Sequence, residues 1–598
     1  GAGTSLLWQE DLQLRSTVRA LLNELKTYQQ DDGYLVPVDR KTFQTKEYPN
    51  YTRAWLTFGL LDAGYAGEEM GFHLARRMGD HFNQCEVLPY VKDMNLGFQG
   101  ILANTRLYDS PVGREEDIQT AIRYYQEDWW LKQLIERNQR AIYDHPGNHP
   151  HSTLLTTLEG YCDLYRFTGR RLYLDAVRAA LKMYEDKWQH VGGGINMCEN
   201  DTYYPGCNWL SPEHHYNELC STNFWVLLNQ RMHRLEPDNP HYVDEMENSL
   251  YNVLLAAQVG DIGYHYLNYL QRTKDWRYLA PATCCAAMGT RLCALLPQFL
   301  YTYTQDMVSC DIYASSEASL PNGVRLRVET DMPDGGRVCV HILEAQRPFC
   351  LRLRIPRWAG EGSSRYEIYQ QVRAGAKFTL DFAMPLQMHR YSGGEEIPGK
   401  TRWALTRGPL LYGALGAPNP LTLHFDVEHP QDWLTPLSGS KNCLRLRGDD
   451  ADAAVARHAH GTARPGLDHA DDRDVKLHLG KREARRRCRV AGDDDELHVM
   501  LGEPGADLVH EAAHFAQVTR AVRAACRIAE EDERFLRQAL VNGARDGEAA
   551  ESGIEYADGS VIHSRTILPH RRTCRRARRS RRAPAPSARA WSCPPRRP

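Results

Sequence analysis

The sequence predicts a mainly α chain: paired helices forming a repeat, then an antiparallel β-sandwich, then a C-terminal stretch of low order. Three observations carry this. Residues 10 to 305 read as helix after helix. Two helical hairpins within them look like copies of one unit, the mark of a solenoid or a closed α/α toroid. From about residue 306 the apolar period drops to two, and after about 436 it is lost. The expected boundaries are therefore 1–305, 306–436 and 437–598.

In the first region Leu14, Val18, Leu21, Leu22 and Leu25 form an apolar stripe, closed by the loop Asp31-Asp32-Gly33. The repeated hairpins are LYRFTGRRLYLDAVRAALKMY and MHRLEPDNPHYVDEMENSLYNVLL. Each runs helix, polar turn, then Tyr-x-Asp opening the next helix, which puts Asp175 and Asp244 in equivalent places that resemble N-caps. Aromatic residues gather at Tyr124, Tyr125, Trp129 and Trp130, and again at Tyr203, Tyr204 and Trp209. Sugar rings stack on such faces, although aromatics at helical spacing more often belong to a core. The loop HPGNHPHS holds His145, His149 and His151.

In the second region Val324, Leu326 and Val328 alternate with Arg325 and Arg327, and Val338, Val340 and Ile342 follow a Gly335-Gly336 turn. Leu351, Leu353 and Ile355 alternate with Arg352 and Arg354, and Phe378, Leu380 and Phe382 complete the set. Short strands with one polar face describe a sandwich. The third region is dominated by Arg, Ala, Asp and Gly, and its last 29 residues contain many Arg and no Lys. An Arg-rich tail can bind nucleic acid. The favoured expectation is instead a GC-rich gene read in a shifted frame, with low order apart from a helix near EDERFLRQAL.

The 598 residues carry 73 Lys and Arg against 76 Asp and Glu, a formal net charge of -3. The overall charge balance does not point to nucleic acid, and no apolar run approaches the roughly 18 residues of a membrane span. Sixteen cysteines without a secretory signal favour a reducing compartment, the cytoplasm, and metal or catalytic thiols over a disulfide framework. The sequence opens Gly-Ala-Gly without Met, so that expectation leaves room for a signal peptide ahead of it.

Two cysteine segments, each expected just ahead of a helix, carry the chemistry. One is Glu218-Leu219-Cys220 in HHYNELCSTNFWVLL, and the other is Cys284-Cys285 in PATCCAAMGTRLCALL. Residues two apart point the same way on an extended chain but lie about 200° apart on a helix. Glu218 and Cys220 would therefore share a ligand if the tripeptide is extended, with Ser221 or Thr222 as N-cap. Behind the second segment Leu292, Leu295, Leu296, Phe299 and Leu300 keep helical spacing, with a kink expected at Pro297. Three sulfurs and one carboxylate match the donor count of tetrahedral zinc. Buried cysteines acting as small hydrophobes are the competing reading.

The succession GGGINMCEN, HHYNELC, HYVDEMENSLYNVLL, PATCC and DIYASSEASL resembles the β-L-arabinofuranosidase family, glycoside hydrolase family 127 and its relatives, from about residue 10 to about 420. CCAAMGT departs from the two prolines and asparagine that many members carry, which marks a divergent member. The resemblance implies an (α/α)6 barrel catalytic domain followed by the β-sandwich. It also implies zinc held by Glu218, Cys220, Cys284 and Cys285, with Cys284 as the glycosidase nucleophile. The acid/base it implies is Glu199 in GGGINMCEN, with Asp201 and Glu213 as rivals. His149, His151, Trp130, Tyr204 and His215 are candidate contacts to the sugar.

The chemistry follows from these residues. A retaining hydrolase needs a nucleophile on one side of the sugar and an acid/base on the other. A zinc-bound thiol is deprotonated outright, and three thiolates with one carboxylate sum to about -4 against +2, which keeps the cluster electron-rich. The expected substrate is a plant-type oligosaccharide or glycoconjugate bearing L-arabinofuranose or a related sugar, with neither nucleic acid nor membrane as partner. The oligomeric state stays open, a dimer included. Two other classes stand beside hydrolysis: a non-catalytic, zinc-stabilised carbohydrate-binding protein, and a lyase or isomerase of sugar acids.

Overall fold

The computed structural model describes residues 1–36, 47–84, 96–123, 127–138, 142, 153–195, 217–259, 263–268, 284–360, 362–391, 402–415, 428–436, 443–446 and 454–457. Helices α1 (Ala2–Leu6) and α2 (Leu12–Tyr28) come first. α2 starts where the Asp11 carboxylate accepts the N–H groups of Gln13 and Leu14. Leu14, Val18 and Leu22 are buried along it, whereas Leu21 is 55% exposed. Leu21 sits about 100° round the helix from Leu22, off the buried stripe.

The chain continues through α3 (Glu47–Tyr65), α4 (Glu69–Asn83), α5 (Leu96–Tyr108), α6 (Glu115–Arg123) and α7 (Glu127–Ile135). Next come α8 (Thr153–Thr168), α9 (Arg171–Lys187), α10 (Leu219–Leu235) and α11 (His241–Ser249). α11 runs on into a π-helical turn, Leu250–Leu254, and α12 spans Cys284–Leu295. Pro297 falls in a 3-10 turn, Leu296–Phe299, that ends α12 rather than kinking it.

Alternate helices form a ring. α3 packs on α5, α5 on α8, α8 on α10, and α10 on α12; α1 then packs on both α12 and α3. α4, α6, α9 and α11 pair with α3, α5, α8 and α10. α10 is buried all round from Leu219 to His233, as a helix covered on every side must be. Asp62 of α3 marks the seam of the ring. Its carboxylate accepts from Thr4 Oγ1, Arg106 and Arg291, each at 3.0 Å, so α1, α3, α5 and α12 converge on one group. The helices close on themselves, which selects the toroid over the solenoid.

Neither repeated aspartate caps a helix. Arg170 and Pro240 occupy the N-cap positions of α9 and α11, so both helices start earlier than Tyr-x-Asp suggests. Asp175 is a half-buried residue between Arg171 and Arg178, whereas Asp244 is buried against Arg354.

A short pair, β1 (Gln258–Val259) and β2 (Gly263–Tyr264), precedes α12. After it come β3 (Tyr301–Thr304), β4 (Met307–Cys310), β5 (Ser316–Ser319), β6 (Val324–Thr330), β7 (Arg337–Ala345), β8 (Phe349–Ile355), β9 (Arg365–Val372) and β10 (Lys377–Asp381). They form two four-stranded sheets, β10-β7-β6-β5 and β3-β4-β8-β9, enclosing one core of Val308, Leu326, Val340, Leu351, Leu353 and their neighbours. The pairing is antiparallel except for β4 with β8, which is parallel.

The second face of β8 is not wet. Arg354 is fully buried and donates to Asp244 at 2.6 Å, to Glu247 at 2.5 Å and to the main-chain oxygen of Asp311 at 2.5 Å. Arg352 donates to Asp238 and to the Pro237 carbonyl. Side chains that read as a solvent stripe therefore clasp α11 and the turn before it.

β11 (Leu386–Tyr391), β12 (Arg402–Arg407), β13 (Leu410–Leu415), β14 (Leu434–Pro436), β15 (Cys443–Leu446) and β16 (Ala454–Arg457) make a third, six-stranded sheet. β15 and β16 lie past residue 436, where composition predicts low order; pairing to β13 and β14 places them. The helix expected near EDERFLRQAL lies outside the described residues. Among the described residues no helix is long and apolar enough to cross a membrane, and eight cysteines are present as free thiols.

Candidate active site

Packing of α10 on α12 brings the two cysteine segments together. Glu218 is the N-cap of α10, with φ -60° and ψ 133°, and Leu219 and Cys220 already belong to the first turn. α12 likewise begins at Cys284 itself. The tripeptide is thus not extended throughout, and neither Ser221 nor Thr222 is the cap. One non-helical residue suffices, because the cap's extended ψ and long side chain return the Glu218 carboxylate to the side of Cys220. The cap is fixed by its neighbour across the chain: the Leu219 N–H donates to the Tyr266 carbonyl at 2.9 Å, and Glu218 bridges to Leu267.

One ligand atom each from Glu218, Cys220, Cys284 and Cys285 lies within 4.8 Å of all the others. Cys285 Sγ is 3.4 Å from Cys220 Sγ and 3.8 Å from Glu218 Oε1. Glu218, Cys220 and Cys285 are buried, and Cys284 is half-buried. Both cysteine segments sit at helix N-termini, where the helix dipole favours a thiolate. Hydrogen bonds from the Cys220 and Cys285 thiols hold the Cys284 thiol down to about 3, outweighing its burial. Burial pushes the other two up.

This donor set fits zinc: three sulfurs and a carboxylate converge from two helix starts, in the number a tetrahedral site uses. Residues that sequence patterns miss also surround it. The Tyr266 hydroxyl lies 4.0 Å from Cys284 Sγ, and Asn217, the residue before Glu218, forms a buried pair with His190. Glu199, Asp201, Glu213, His145, His149, His151, Tyr124, Tyr125, Tyr203, Tyr204, Trp209 and His215 lie outside the described residues. Trp129 and Trp130 fall in α7, but their side chains are outside the described set as well.

Comparison with known proteins gives the family and the fold. The family model described as the β-L-arabinofuranosidase GH127 catalytic domain matches residues 1–298, and that of the GH127 middle domain matches residues 307–380. No curated protein matches the chain. Among solved structures, a GH127 β-arabinofuranosidase is similar with a TM-score of 0.61 at 17% identity, covering 78% of this chain and 85% of that one. A GH127 β-L-arabinofuranosidase from Geobacillus stearothermophilus T6 has a TM-score of 0.59 at 19% identity, covering 78% and 87%. A structure described as a glycoside hydrolase has a TM-score of 0.59 at 17% identity, covering 78% and 89%.

Proposed function

The chain belongs to glycoside hydrolase family 127, and from that premise we propose that it hydrolyses β-L-arabinofuranosides with retention, using Cys284 as nucleophile. The observation that carries this is the convergence of four donors in which Cys284 alone is half-buried, while Glu218, Cys220 and Cys285 are buried. A binding protein with a saturated structural site would have no use for a half-open sulfur.

Glu218, Cys220, Cys284 and Cys285 would hold the zinc, which keeps thiols deprotonated at neutral pH. The Cys284 sulfur attacks the anomeric carbon while the bond from that carbon to the departing oxygen breaks. An acid, for which the sequence nominates Glu199, gives its proton to that oxygen. The resulting thioglycoside is cleaved when the same carboxylate, now a base, takes a proton from water. The water oxygen displaces the Cys284 sulfur, and two inversions give net retention. The substrate class is an oligosaccharide or glycoconjugate ending in L-arabinofuranose or a related sugar.

The test is Cys284→Ser assayed on an aryl β-L-arabinofuranoside, with metal content measured alongside. Turnover should fall at least about 10³-fold even with an activated leaving group, since the attacking atom itself is replaced. A haloacetamide-bearing arabinofuranose should alkylate Cys284 in the parent protein, located by peptide mass mapping. A variant that keeps its zinc and near-normal turnover would refute the thiolate mechanism.

A further inference from the structure

The residue before Glu218 adopts a conformation that most side chains avoid. Asn217 has φ +38°, a left-handed backbone in which Asn is among the few tolerated residues after Gly. With Glu218 extended next to it, this reversal fixes the point from which the carboxylate leaves the main chain. The main chain is pinned on both sides: Asn268 N–H donates to the Asn217 carbonyl at 3.1 Å, and Leu219 N–H donates to the Tyr266 carbonyl.

The Asn217 side chain, 1% exposed, is pinned as well. Its amide meets His190 Nε2 at 2.6 Å, and Thr222 Oγ1 donates to its oxygen at 3.1 Å. His190, itself buried, accepts the Gly192 N–H on Nδ1 at 3.0 Å, so both ring nitrogens are engaged. His190 stands in a tight hairpin, with its N–H on the Gly194 carbonyl and the Gly193 N–H on its own carbonyl, both at 2.9 Å.

The hairpin is built of glycine because it lies on this pair. A Cβ on Gly194 would fall 2.4 Å from His190 Nε2 and 2.7 Å from Asn217 Oδ1, and Gly193 needs φ +87°. From the other side Ser249 Oγ donates to the Gly193 carbonyl and Asn248 Nδ2 to the Val191 carbonyl, which tie the hairpin to α11. His190 is thus held from behind and joined on its other side to Asn217, the residue before Glu218.

On the zinc-site reading given above, we propose that His190 and Asn217 form a positioning unit that fixes Glu218 against the three thiols. Neither residue is one of the four ligands. The pair acts by holding the left-handed turn that aims the carboxylate.

The test compares zinc affinity, by competition with a chromophoric chelator, with the thermal midpoint of the zinc-stripped protein. Asn217→Gly keeps the left-handed backbone and deletes the amide; His190→Ala deletes the ring. Each should weaken zinc about 10- to 100-fold, the usual effect of losing a group that orients a ligand, and by more than the fall in stripped midpoint that deleting a buried hydrogen-bonded group brings. His190→Gln, which returns an amide near the position of Nε2, should recover most of the affinity. Parental affinity in both deletion variants would overturn the inference alone. So would weakened affinity that only tracks a lowered stripped midpoint, with no recovery in His190→Gln. A parent protein that takes up no zinc would overturn the site reading and this inference with it.

Discussion

Tyr266 reaches the cluster by a route that no local pattern reveals. Its hydroxyl lies 4.0 Å from Cys284 Sγ because residues 217–219 pair with 266–268, some fifty residues further along the chain. On the mechanism proposed above, that hydroxyl orients the sulfur for attack, and losing an orienting contact worth about 1.5 kcal/mol is roughly tenfold in rate. Tyr266→Phe should therefore lower kcat/KM about tenfold on an aryl arabinofuranoside, with the thermal midpoint little changed; unchanged kinetics would remove Tyr266 from the site. The four donors were legible in the sequence because Glu-x-Cys and Cys-Cys are rare residue types in an unusual order. Tyr266, His190 and Asn217 were not, since Tyr, His and Asn are common in cores and turns, and only the bridge across the chain gives them a purpose. The start of α10 was misplaced for a related reason: Ser221 and Thr222 are better caps by propensity than Glu218, and tertiary pairing to Leu267 overrode that preference.

At the scale of elements, alternation located β6, β7, β8 and β10 but could not say which faces are wet. Arg325 and Arg327 form ion pairs with Glu317 on a partly open face, whereas Arg354, in the same alternating pattern, is fully buried between Asp244 and Glu247. The partners come from a helix more than a hundred residues earlier, so the period is local and the burial is not. α9 and α11 are joined by a different pair, His241 Nε2 to Glu185 Oε1 at 2.7 Å. That hydrogen bond raises the pKa of His241 against the opposing effect of burial. A folded pKa above the unfolded value of about 6.5 gives stability that is fully present below pH 6.5 and lost as pH rises through the folded pKa. Glu185→Gln should accordingly lower the thermal midpoint at pH 5.5 and leave it nearly equal to the parent's at pH 9. A deficit of the same size at both values would show that the pair contributes nothing through protonation.

At the scale of the molecule, Asp62 ties the seam at which the ring closes into a toroid. Burial pushes its carboxyl up, but Arg291 and Arg106 outweigh this and hold it below the usual carboxylate range. Its contribution is therefore present above about pH 4 and is lost as the pH falls through that lowered value. Asp62→Ala would leave both guanidinium groups buried beside each other, and should lower the free energy of unfolding by about 3–5 kcal/mol, read from the shift in urea midpoint. A shift under about 1 kcal/mol would mean that solvent or other acceptors already serve the two arginines. Repeated hairpins made a ring or a solenoid legible, but a seam between residues so distant leaves no trace in any local period. That distance has a further consequence during synthesis. Asp62 leaves the ribosome 229 residues before Arg291. At about 5–20 residues per second the gap lasts roughly 10–50 s. Throughout it the growing ring has an open flank of apolar helix with no permanent neighbour. Chaperone occupancy on translating ribosomes should accordingly persist until α12 emerges, then fall within a few seconds.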